Sequence, residues 1–111
     1  MSNYNRLGEK IKIGCKPNCF KYGPKGVRPK EFIDFKIEEY ESIRLKDLEG
    51  LTQQQCADKM GIGRTTFQRI YSEARKKIAE SLINNKNLLI EKENMNVSYK
   101  RKNRNRSNEK K

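Results

Sequence analysis

Residues 52–70 read TQQQCADKMGIGRTTFQRI. Each apolar position here has a task if two helices cross at a tight turn. Ala57 is small, so the helices can approach closely. Gly61 sits in the turn, where a positive φ is tolerated readily only by glycine. Cys56, Met60, Ile62, Phe67 and Ile70 fill the seam between the helices. Thr52 opens the first helix, since its hydroxyl can accept from the Gln55 backbone while the Gln55 side chain bonds back, a capping box. Met60 to Gly63 end that helix. The next begins after Gly63 and runs to about Asn84, with Phe67, Ile70, Tyr71, Ala74, Ile78 and Leu82 as its apolar stripe. The spacing predicts a helix-turn-helix, whose second helix is free to enter the major groove of double-stranded DNA.

The exposed face of that helix follows from 100° per residue. Counted from Arg64, the positions Phe67, Ile70, Ala74 and Ile78 cluster between about 240° and 320°. The remaining surface offers Arg64, Thr65, Thr66, Gln68, Arg69, Ser72 and Lys76 as candidate DNA-binding residues. Thr65, Gln68 and Arg69 lie in the first turns and are expected to meet base edges. Gln can pair with adenine, Arg with guanine, and a Thr methyl with that of thymine. Arg64, Ser72 and Lys76 suit the phosphate backbone. No acid occurs from Arg64 to Ser72. The competing reading is a structural helical hairpin with a solvated polar face.

Upstream, residues 37–48 are expected to form a helix with Ile37, Tyr40 and Leu48 on one face, flanked by Ile43 and Leu45, and with Gly50 as its C-terminal cap. Arg44 projects from the apolar arc, so it should lie partly buried beside Glu41 or Asp47. Glu38, Glu39 and Glu41 read as surface charge. Phe32, Ile33 and Phe35 form a short apolar lead-in. Downstream, Asn84 to Asn87 break the helix, and Leu88-Leu89-Ile90 reads as a strand or a docked extension. Residues 1–30 contain Pro17, Pro24 and Pro29 among several glycines and show no period, which predicts an irregular basic arm. Residues 92–111 are mostly Asn, Lys, Arg and Ser with almost nothing to bury, which predicts a disordered basic tail. The expected fold is therefore all-α, with one small helical domain over residues 31–91.

The chain has 111 residues and a net charge of +12. Residues 1–30 hold eight Lys/Arg and one acid, giving +7, while residues 94–111 hold seven and one, giving +6. Residues 31–93 hold eleven Lys/Arg and twelve acids, so the centre is near neutral at −1. Basic ends on a neutral domain suit a polyanion, or else simply keep the chain soluble. No apolar run approaches a membrane span, and the start lacks the apolar core of a signal peptide. A cytoplasmic, nucleoid-associated protein is expected.

Taken together, Ile37 to Leu51, Ala57 to Ile62, Thr66 to Ile70 and Ala74 to Ala79 resemble a family of small prokaryotic proteins of unknown function that are held to bind DNA. Their helix-turn-helix is similar to that of sigma-factor region four. The most specific stretch is Glu39-Tyr40-Glu41-x-x-Arg44-Leu45-x-Asp47-Leu48-Glu49-Gly50, and Phe20-Lys21 with Gly23 to Val27 match the upstream arm. Lys36 and Gly63 depart from the Thr or Ser usual before the first helix and the Ser usual at the recognition-helix cap. The resemblance implies DNA binding without naming a target, and a transcriptional regulator is the expected function.

Three rival readings remain. A metal- or redox-responsive interaction protein would use Cys15 and Cys19. With no histidine in the chain and Cys56 in the seam, four zinc ligands would need a dimer to pool two such pairs. RNA binding lacks an aromatic stacking platform. An enzyme lacks a recognisable nucleophile, phosphate loop or metal set, so no catalytic residue, cofactor or metal ligand is assigned. A single helix-turn-helix buries little DNA surface, and a homodimer is compatible with that.

Overall fold

The computed structural model describes residues 10–26, 31–91 and 97–99. Along the chain these form β1 (Ile11–Ile13), β2 (Lys21–Tyr22), β3 (Phe32–Phe35), α1 (Ile37–Ile43), a π-helical segment (Arg44–Leu48), α2 (Gln53–Met60), α3 (Arg64–Asn84), β4 (Asn87–Ile90) and β5 (Val97–Tyr99). β4 is the central strand of a mixed sheet, antiparallel to β2 and parallel to β3. β1 and β5 pair in parallel, with Ile11 opposite Val97. The architecture is mixed α/β, which overturns the all-α expectation. The reason is physical: strands of two to four residues are too short to display a period, and their partners lie far away in sequence. The pairing therefore leaves little trace in any local window.

The irregular arm expected over residues 1–30 is corrected within its described part. Ile11 and Ile13 are buried on either side of exposed Lys12, so β1 contributes to the core. The disordered tail is corrected at residues 97–99, which form β5. The rest of both predicted ends, residues 1–9, 27–30, 92–96 and 100–111, lies outside the described residues. Phe35 pairs with Ile90, and both side chains join the helical core from the inner face of the sheet.

The helical seam forms as its residue types dictate. Cys56, Ala57, Met60, Ile62, Phe67, Ile70 and Ala74 are all buried in one cluster. Thr52 Oγ1 accepts the Gln55 N–H at 3.1 Å, and Gln55 Oε1 accepts the Thr52 N–H at 2.9 Å, closing the capping box. α2 ends at Gly61, with φ 71°. A valine there would be strained in the left-handed region. Gly61→Val is expected to lower stability by about 1–3 kcal/mol in urea unfolding. Unchanged stability would mean that the turn does not need this backbone.

Two leucines were misplaced by periodicity. Leu48 is 79% and Leu82 75% exposed. The Glu49 N–H bonds to the Arg44 carbonyl at 3.0 Å, and this widened turn rotates Leu48 off the apolar face. Leu82 falls at about 0° on the wheel counted from Arg64, outside the buried arc.

Glu38, Glu39 and Glu41 are buried rather than surface charge. Their surroundings make this tolerable, because carboxylates here take the unpaired N–H groups at the start of α1. Glu39 Oε1 accepts the Lys36 N–H and the Lys77 ammonium, each at 2.9 Å. Glu91 Oε1 accepts the Ile37 N–H at 2.9 Å. Glu41 takes the Gly14 N–H at 2.8 Å and two Arg44 donors at 2.9 and 2.7 Å, which ties β1 to α1. Burial pushes the Glu38 carboxyl above the ordinary range, and nearby Glu91 and Glu39 push the same way.

Candidate nucleic-acid interface

α2, the Gly61 turn and the first half of α3 form the site. Gly63 begins α3 in an extended conformation, with no side chain of its own to cap the helix. The Phe67 N–H reaches the Gly63 carbonyl at 3.0 Å. With Phe67, Ile70 and Ala74 committed to the core, the opposite side of α3 must face outward. Arg64, Thr65, Gln68, Arg69, Ser72 and Lys76 are exposed, and Thr66 is half-buried at the margin.

These residues do not form one set. Gln68, Ser72 and Lys76 line a shallow hollow with Gln53, Tyr71, Arg75 and Ala79. Arg69 lines another, on the α1 side, with Lys36, Glu38, Glu39, Glu73 and Lys77. Three carboxylates and two lysines share the Arg69 hollow, whereas no acid among the described residues lines the Gln68 hollow.

The helices are also joined across the site. Gln68 Nε2 donates to Gln53 Oε1 at 2.7 Å. This fixes the Gln68 amide while leaving its oxygen and its second N–H available. Tyr71 stacks on Phe67 with centroids 5.5 Å apart and planes 12° from parallel. Its hydroxyl donates to Asp47 Oδ1 at 2.6 Å. Burial and this hydrogen bond hold the phenol above its ordinary pKa. The Arg75 guanidinium lies 5.5 Å from the Tyr71 ring centroid. A cation is thus positioned beside Lys76 on a supported aromatic base.

Sequence reasoning missed Gln53, Tyr71 and Arg75 as members of this surface. Tyr71 and Arg75 stand four residues apart on α3, a spacing that places side chains in contact and could have revealed the pair. Gln53 gave no comparable signal, because its contact depends on how α2 crosses α3.

Cys15 and Cys19 are exposed and Cys56 is buried. The described residues contain no group of three or more His, Cys, Asp or Glu side chains arranged to hold a metal ion. No helix among them is long and apolar enough to cross a membrane.

Curated relatives carry only a family designation. A UPF0251 protein of Desulfitobacterium hafniense is 51% identical over 82 residues, covering 72% of this chain and 66% of the relative. One from Caldicellulosiruptor saccharolyticus is 53% identical over 72 residues, covering 65% of this chain and 52% of the relative. One from Thermoanaerobacter is 45% identical over 88 residues, covering 77% of each. The chain thus spans about two-thirds or less of the first two relatives' length. No solved structure matches it. The family profile described as "Protein of unknown function DUF134" matches residues 1–98, and the chain belongs to that family.

Proposed function

We propose that the protein binds double-stranded DNA in the major groove through α3 and acts as a transcriptional regulator, using a helix-turn-helix similar to that of sigma-factor region four. The observation that carries this reading is the acid-free face of Gln68, Ser72, Lys76 and Arg75, held against α2 by the Gln53–Gln68 bond. Gln68 and Thr65 read bases, with Gln68 matched to adenine. Arg69 reads from the α1 margin. Arg64, Ser72, Arg75 and Lys76 grip phosphates, and Thr66 supports the helix start. Excess basic charge toward both ends of the chain adds attraction that is independent of sequence. A homodimer would present two such helices to a palindromic site.

Anisotropy titrations at one fixed salt concentration test this division of roles. Gln68→Ala is expected to weaken binding to the preferred duplex by about 1–3 kcal/mol and to random duplex far less. Lys76→Ala should weaken both about equally. Full discrimination by a folded Gln68→Ala protein would remove α3 as the sequence reader.

A further inference from the structure

A second concave site is built without α3. It is a hollow of about 400 Å³ between β1, β5, α1 with its π-helical extension, and the end of α2. That volume falls within the range of small-molecule sites. None of its lining residues belongs to α3. Its charged groups are Lys12, Lys59 and Arg44 against Glu41 and Glu49. Ile13 and Leu45 supply apolar lining, and Gly14 lets the β1 backbone approach the Arg44–Glu41 pair closely, since a Cβ there would lie 2.5 Å from an Arg44 nitrogen.

The cations differ in what they have left to offer. Arg44 donates Nε and NH2 to Glu41 and NH1 to Glu49. A guanidinium has five donors, so these three leave two. Among the described residues, Lys12 and Lys59 have no ion pair, and both are exposed. The Lys12 stem passes over the Gly61 turn, where its carbons lie 3.6–3.8 Å from the position a Cβ would take. That packing limits where the ammonium can go and keeps it near the mouth of the hollow.

We propose that this hollow binds the phosphate group of a small phosphorylated metabolite. Three cations face two carboxylates, so the site attracts anions. A dianion gains about twice the net Coulomb attraction of a monocarboxylate, because its charge multiplies the pull of the three cations and the push of Glu41 and Glu49 alike. Lysine ammonium groups recognise phosphate as point charges. The remaining volume and the apolar lining suit the organic part of an ester better than free phosphate alone. Bound there, the ligand bridges Lys12 on β1 to Lys59 on α2 and braces the turn that sets the angle of α3. The site is independent of the DNA-binding reading, because its occupancy can be measured with no DNA present.

Calorimetric titration of the full chain at constant ionic strength decides the matter, with glycerol 3-phosphate and inorganic phosphate as probes and glycerol as the neutral control. Saturable binding of glycerol 3-phosphate is expected, tighter than inorganic phosphate, with none for glycerol. Lys12→Gln/Lys59→Gln should weaken it about tenfold or more without changing thermal stability in the absence of ligand. Gly14→Ala, which pushes a methyl group toward Arg44, should also weaken it. No saturable binding, or equal affinity in the double variant, overturns the proposal. So does failure to bind the ester together with a reduced salt slope for DNA in the double variant, which would make the hollow a contact for the DNA backbone.

Discussion

Replacing Phe67 with alanine is expected to cost about 3–5 kcal/mol of folding stability. Phe67 is fully buried at the α2–α3 crossing, among Cys56, Ala57, Met60, Ile70 and Ala74. Alanine would lose the ring's burial and leave a cavity that short helices pinned by a tight turn cannot close. A domain of this size has only about 5–15 kcal/mol of net stability, so the loss is a large fraction of it. The loss also reaches the outer surface, because Tyr71 stacks on Phe67 and Arg75 lies over Tyr71. Urea unfolding followed by circular dichroism measures the effect. A loss below about 1 kcal/mol would mean that the seam is not the centre of the core.

Arg44→Met should be about as damaging, at about 3–5 kcal/mol, for a different reason. The Glu41 side chain is 2% exposed and takes two Arg44 donors. Removing the guanidinium leaves a buried carboxylate whose one remaining bonded partner among the described residues is the Gly14 N–H. Hydrogen bonding to Glu41 raises the Arg44 guanidinium above its ordinary pKa, so Arg44 keeps its charge. The cost is that of an orphaned charge, and removing that charge as well should recover part of it. Arg44→Met/Glu41→Gln is therefore expected to be more stable than Arg44→Met alone. If the double variant is the weaker of the two, the destabilisation comes from lost packing of the Arg44 stem.

How far the sequence discloses this molecule depends on the range of each interaction. The seam of Cys56, Met60, Phe67 and Ile70 is legible because every member lies within one or two helical turns of the next. The Thr52–Gln55 box and the left-handed Gly61 are local for the same reason. Arg44 beside Glu41 follows from their spacing on one helix, although its second partner is Glu49 rather than Asp47. Asp47 instead accepts from the Tyr71 hydroxyl, a tertiary contact. Leu88-Leu89-Ile90, read as a strand or a docked extension, is the central strand β4, whereas β1 was illegible because Ile11-Lys12-Ile13 offers one alternation, lost among prolines and glycines. Its partner Val97 lies in a segment whose composition reads as polar. The buried acids show the same limit, since part of what satisfies Glu39 and Glu41, the Lys77 ammonium and the Gly14 N–H, arrives from elsewhere in the chain.

The candidate interface divides in the same way. Its exposed residues are legible from the angular period of α3. The separation of Arg69 from Gln68 is not, because it depends on where α1 places Glu38 and Glu39. Nor is the bracing by Gln53, which needs both helices in place.

Sequence selection from a random duplex library tests the central claim most directly. Full-length protein is incubated with the library, bound duplexes are recovered over several rounds, and the enriched pool is sequenced. The same selection is run with Gln68→Ala. The account predicts a defined motif for the parent protein, containing an adenine whose enrichment disappears in Gln68→Ala. Selection that yields no motif, or the same motif from both proteins, would contradict it.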